Sequence, residues 1–134
     1  MEKQNKKSEP SFYVNFKKVY ARNIDSNISL LNFLRHNCKF TGTKEGCSEG
    51  DCGACSVLIF DEKGSLAPVN SCILKVGQII DKNIITIEGA SKLSSAKPLI
   101  EALNSKAASQ CGFCTPGFVM AALALKEKHK KPSE

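Results

Sequence analysis

Cys47, Cys52 and Cys55 follow a C-x4-C-x2-C spacing, and Cys72 stands seventeen positions further on. Four thiolates so spaced can converge on two irons bridged by two sulfides, the plant-type 2Fe–2S arrangement, whose chemistry is one-electron transfer. A tight loop can supply three of the ligands. The fourth must come from a neighbouring element, here a hairpin returning through Asn70-Ser71-Cys72. Gly42, Gly46, Gly50 and Gly53 lie in residues 41–55, a stretch with no large apolar side chain. They let a backbone wrap closely, take φ values other residues avoid, and aim N–H groups at sulfur. Such hydrogen bonds, with burial and charge, set a cluster's potential. Zinc is the competing metal, since it too takes all-cysteine sites with ligands paired at short spacing. A zinc site usually presents two such knuckles, and Cys72 stands alone. A thioredoxin-type C-x-x-C would open a helix after a strand, whereas a strand-like run follows Cys55.

A second pair, Cys111 and Cys114, lies in Cys111-Gly112-Phe113-Cys114-Thr115-Pro116-Gly117, between one helical pattern and the next. The dipole at a helix N-terminus favours thiolates, but two of them cannot close a four-ligand site. Cys38, His36 and His129 are the remaining Cys and His, and none has ligand-like spacing to the pair. Cys38 reads as a small apolar filler after a helix, and His129, in a Lys run, as solvated. The pair therefore reads as half a site: either the chain continues beyond Glu134 or the pair is an orphan.

The elements that must hold these residues follow from periodicity. Phe12, Val14 and Phe16 alternate as in a half-buried strand. Lys17-Lys18 is the expected turn and residues 19–22 the return strand. Ser29 suits an N-cap for a helix carrying Leu30, Leu31, Phe33 and Leu34 and fading near Asn37. Residues 41–55 form a long loop, a length that in compact domains is usually functional. Residues 57–60 and 66–72 read as strands around a turn at 61–64, with Pro68 near the start of the second, and residues 84–87 as a short strand. No convincing strand follows Ala90. Pro98 opens one helix running to about Lys106, and Pro116 a second, ended by Pro132. The reading is α+β: a tail at 1–10, a β-rich part at 11–90 and a helical part at 91–134.

Bulk properties narrow the function. The net charge is +6, but segments 1–10 and 126–134 hold seven Lys against four acids. No basic stripe interleaved with aromatics appears, so nucleic acid is not an expected partner. The longest uninterrupted apolar run, residues 118–125, is too short for a membrane span. Seven cysteines with no secretory signal point to metal or redox chemistry in a reducing cytoplasm rather than to disulfides.

Two long motifs carry a resemblance that runs from about Phe12 to Leu125. The first is Leu30-Leu31-x2-Leu34-Arg35, then Thr41-Gly42-Thr43-Lys44-Glu45-Gly46-Cys47-x2-Gly50-x-Cys52-Gly53-Ala54-Cys55, with Ala67-Pro68-Val69-Asn70-Ser71-Cys72 and Thr86-Ile87-Glu88-Gly89 after it. The second runs from Ser109-Gln110-Cys111 to Val119-Met120. Together they resemble the iron–sulfur part of the molybdenum hydroxylases, and within that family xanthine dehydrogenase, in bacteria its small subunit. Small subunits of the aldehyde, carbon-monoxide and isoquinoline types usually differ around Lys44-Glu45 and residues 49–51. The resemblance implies a β-grasp, ferredoxin-like domain followed by a helical domain with a second 2Fe–2S cluster. It implies that Cys47, Cys52, Cys55 and Cys72 hold one cluster and that Cys111 and Cys114 hold half of the other. Electrons would pass from a molybdopterin site on a large subunit, through both clusters, to an FAD-binding domain or subunit and NAD, in purine catabolism. The family completes its second site with a downstream C-x-C motif, which this sequence lacks. The expectation is thus a small subunit cut short within its second motif, with no substrate pocket or catalytic residue of its own. A zinc-stabilised, non-redox binding module is the alternative outside the family, and a stand-alone ferredoxin is the other.

Overall fold

Strands β1 (Ser11–Val14) and β2 (Lys17–Tyr20) form a tight hairpin in the computed structural model, which describes residues 8–60 and 63–129. Asn15 and Phe16 turn it, with φ of 51° and 68°, the left-handed pair that matches the twist of a two-residue hairpin. The expected turn at Lys17-Lys18 is therefore corrected: Val14 pairs with Lys17, and Phe16 is exposed rather than half-buried. Asn15 tolerates this conformation, and its amide is held by Thr86.

The remaining strands are β3 (Ser56–Phe60), β4 (Leu66–Asn70) and β5 (Asn83–Ile85). The sheet order is β2-β1-β5-β3-β4, with β1 and β5 parallel and every other pair antiparallel. β4 is an edge strand and Pro68 is exposed on it, where its missing N–H costs no ladder bond. β5 is shorter than expected. The Thr86 N–H leaves the ladder for Asn15 Oδ1 at 2.9 Å, and Ile87–Ala90 turn into a short helix, α2.

β3 and β5 are covered on both faces, which is why their sequences read as continuous apolar runs rather than alternating ones. On one face Val57 and Ile84 meet Phe12, Val14, Leu30, Phe33, Leu34, Val76 and Ile79. On the other Leu58 and Ile85 meet Ala90, Ala96, Val119, Met120, Leu123 and Ala124. The first face is closed by α1 (Leu30–Asn32), with Ser29 Oγ accepting the Asn32 N–H at 3.1 Å as the expected cap. This helix continues as a π-helical turn, Phe33–Asn37, in which the Cys38 N–H reaches the Phe33 carbonyl. A 3-10 turn at Val76–Ile79, not foreseen from periodicity, adds two core residues.

The second face is closed by α4 (Thr115–Lys128), which follows α3 (Lys97–Ser105). Each has its expected proline in the first turn, where the missing N–H would be unpaired anyway. α4 places Val119, Met120, Leu123 and Ala124 on the sheet while Phe118 and Leu125 stay exposed. Among the described residues no helix is long and apolar enough to cross a membrane. The expected stop at Pro132 and most of the 1–10 tail lie outside the described residues.

Candidate metal centre

The cysteine loop leaves the first element through a clamp. The π-helical turn carries Arg35, whose Nη1 donates to the Thr41 carbonyl at 2.9 Å and the Thr43 carbonyl at 2.8 Å. π turns inside helices frequently mark functional sites, and this one places a guanidinium under the loop's start. Lys44 Nζ also donates to the Thr41 carbonyl. From the opposite side Glu88 Oε1 accepts the Gly42 N–H at 2.7 Å. With residues 41–44 fixed, the chain needs no regular structure through Cys55, and it has none.

Inside the loop the backbone points its N–H groups at sulfur. Cys47 Sγ accepts from Asp51 N and Cys52 N at 3.3 Å each and from Glu49 N at 3.5 Å. The backbone N–H groups of Cys52, Glu49 and Asp51, in that order, lower the Cys47 thiol to about 7, so a thiolate is accessible at neutral pH. Cys52 Sγ accepts the Ala54 N–H at 3.5 Å. The wrap is tight: a Cβ on Gly46 would stand 2.7 Å from Cys52 Sγ. A Cβ on Gly53, whose φ is +73°, would meet Ser56 Oγ at 3.7 Å, an ordinary contact, so glycine is needed there for its backbone conformation rather than for crowding.

Cys72 is brought in by the two residues before it. The Asn70 amide donates to the Gly50 carbonyl at 2.9 Å. Buried Ser71 donates through Oγ to the Cys55 carbonyl at 2.7 Å. Burial pushes the Cys72 thiol up, and its hydrogen bond with Cys55 adds to this, against a lowering contact from the Gly50 N–H. Cys47 is likewise hydrogen-bonded to Cys52, and Cys72 also feels the charge of Cys47.

Cys47 thus interacts with Cys52, and Cys72 with Cys55 and more weakly with Cys47. Among the described residues no three Cys, His, Asp or Glu side chains converge as the shell of a single metal ion. Two thiolates per iron on a two-iron cluster is the demand that such an arrangement fits. A lone tetrahedral zinc needs all four donors around one centre. The N–H groups on Cys47 and Cys52 supply the donors to sulfur that such a cluster requires.

Cys111 and Cys114 are both exposed, on the approach to α4, with Cys114 as its N-cap. Gly112, φ +80°, turns the chain between them, and the Ser109 and Thr115 hydroxyls share a hydrogen bond at 2.7 Å across the pair. The pair is not drawn into the four-cysteine site, nor does either His reach it; His36 and His129 are exposed. Cys38 packs half-buried against the core, and burial raises its thiol to about 11, as befits a filler. Arg35, Asn70, Ser71 and Glu88 carried no assigned role in the sequence. Their signal is position: each lies in or beside a ligand motif, and a polar side chain there has backbone to hold.

A family profile described as a 2Fe-2S binding domain matches residues 86–134. Aldehyde oxidase 1 of Rattus norvegicus is 40% identical over 91% of this chain. Xanthine dehydrogenase of Emericella nidulans is 41% identical over 92% of it. The chain spans about a tenth of the length of these relatives, 10% and 9%. Among solved structures, quinoline 2-oxidoreductase from Pseudomonas putida 86 superposes with a TM-score of 0.73 at 31% identity, over 92% of this chain and 73% of that one.

Proposed function

Since the chain belongs to the molybdenum hydroxylase family, as its iron–sulfur part, we propose that it carries electrons one at a time through a 2Fe–2S cluster on Cys47, Cys52, Cys55 and Cys72. The observation that carries this is the set of backbone N–H groups turned on Cys47 Sγ and Cys52 Sγ, in a loop to which Ser71, beside Cys72, is tied through the Cys55 carbonyl. When bound, such a cluster takes up and releases a single electron. The chain's own part is to hold it. The loop's N–H groups offset thiolate charge, and the Arg35–Glu88 clamp fixes the loop's entry. Ser71 ties the segment of the fourth ligand to the third. The mixed sheet with α1 packed on one face supports a β-grasp, ferredoxin-like unit at residues 11–90. Residues 91–134 are then the start of a helical unit in which Cys111 and Cys114 supply half of a second site.

Within the family we assign a xanthine dehydrogenase-like role in the cytoplasm, on the Gly-Thr-Lys-Glu-Gly-Cys sequence at 42–47. The partners are then a molybdopterin-binding subunit, which gives electrons, and an FAD-binding domain, which passes them to NAD. We assign no catalytic residue for substrate among the described residues. The test is a reductive titration of the chain after reconstitution with iron and sulfide. Reversible bleaching and recovery of visible absorption with one electron per first cluster is the expected result. A chain that takes up metal but no electron overturns the reading. The subtype is tested in the whole assembly, which should oxidise a purine in preference to an aldehyde.

A further inference from the structure

The two cysteine sets touch through glycines. Gly117, three residues after Cys114 and in the first turn of α4, is buried against the Gly53 carbonyl, between Cys52 and Cys55. A Cβ at Gly117 would collide with that oxygen and stand 3.2 Å from Gly53 C and Ala54 Cα. A second contact runs beside the first. Phe113, between Cys111 and Cys114, brings its ring edge to 3.7 Å from where a Gly46 Cβ would sit.

The Gly53–Ala54 peptide cannot easily give way. Its carbonyl accepts both the Ser56 N–H at 3.1 Å and the Ser56 hydroxyl at 2.7 Å. Its N–H donates to Cys52 Sγ at 3.5 Å. Glycine is a poor helix residue, and here its value is the absence of a side chain at a backbone-to-backbone contact. If the peptide is pinned, a side chain at position 117 must lift the start of α4, and Cys114 with it. Electron transfer falls steeply with separation, so that gap has consequences.

We propose that Gly117 is a positioning residue: by presenting no Cβ to the Gly53 carbonyl it seats the cysteine-bearing start of α4 on the peptide that hydrogen-bonds Cys52. It thereby fixes the gap that an electron crosses between the two cysteine sets. This rests on the assignment of a cluster to Cys47, Cys52, Cys55 and Cys72, and of half of a second site to Cys111 and Cys114.

The test places a nitroxide label on Cys114 of the reconstituted full chain, in a Cys38→Ser, Cys111→Ser background. The reduced first cluster speeds the label's relaxation in a distance-dependent way. Gly117→Ala should keep the visible absorption yet show a loss of relaxation enhancement, and Gly117→Val a larger loss. Ala121→Val, an exposed position on the same helix, should show none. A coloured Gly117→Ala protein with unchanged enhancement overturns the proposal, because a merely structural glycine would alter stability and not distance. Loss of colour in Gly117→Ala, with the parent coloured, also overturns it, since the ligand loop and not the helix has yielded. A colourless parent sinks the cluster assignment itself and this proposal with it.

Discussion

The Glu88 carboxylate accepts the backbone N–H of Gly42 at 2.7 Å, joining the end of the sheet to the start of the cysteine loop. Its other oxygen accepts the Thr86 hydroxyl at 2.8 Å. The Asn15 amide donates to Thr86 Oγ1 at 2.9 Å. A chain of hydrogen bonds therefore runs from the β1–β2 turn to the loop that carries three of the four cysteines. Gly42 has no room for a side chain, since a Cβ there would stand 2.7 Å from Glu88 Oε1.

Glu88→Ala should cost about 1.5–3 kcal/mol, the range for a hydrogen bond to a charged group, and should speed loss of the cluster to a chelator. Glu88→Gln keeps an acceptor for the Gly42 N–H and should recover most of that loss. Chemical denaturation together with the decay of visible absorption in chelator checks both. Equal behaviour of the two variants would show that the carboxylate holds nothing.

The glycines of the loop should separate by mechanism. Gly46→Ala forces a methyl against Cys52 Sγ, and overpacking of this kind costs about 1–3 kcal/mol. Its cluster should fail to assemble or be shed quickly. Gly53→Ala has space but must keep a left-handed φ of +73°, at about 1–2 kcal/mol. It should lower stability while retaining the cluster. Iron content and thermal melting of the two variants, side by side, check the order.

Thiol reactivity in the cluster-free protein should sort by pH. Cys47, lowered to about 7 by three backbone N–H groups, should be alkylated first, with a rate that rises through neutral pH. Cys38, raised to about 11 by burial, should react last and only in strong base. The linkage sign follows from the raised value. The neutral Cys38 thiol supports the fold fully below the unfolded thiol pKa of about 8.5. That support is lost as pH rises through about 11. Peptide mass spectrometry after timed alkylation at several pH values reads the order, and early modification of Cys38 would contradict it.

The cysteine loop was legible in the sequence because it is a local object: three of the four proposed ligands lie within nine residues, 47–55. The Ser29 cap and the two proline helix starts were legible for the same reason. What joins distant segments was not. The Asn15 turn was misplaced because Phe16, an aromatic, gave no hint of a φ of 68°. The Glu88–Gly42 bond and the Gly53–Gly117 contact pair residues far apart in the chain, and no periodicity records them. The close wrapping expected of the loop glycines holds at Gly42 and Gly46 but not at Gly53, and at Gly46 the neighbour is a sulfur brought in by the fold.

Metal analysis with electron paramagnetic resonance tests the central claim most directly. The chain, reconstituted and then reduced with dithionite, should hold about two irons and as much acid-labile sulfide on the first site, with one unpaired spin for that cluster. Cys47→Ser should lose that signal, whereas Cys38→Ser and Cys114→Ser should keep it. One zinc per chain with no sulfide and no signal, or an unchanged signal in Cys47→Ser, would contradict the account.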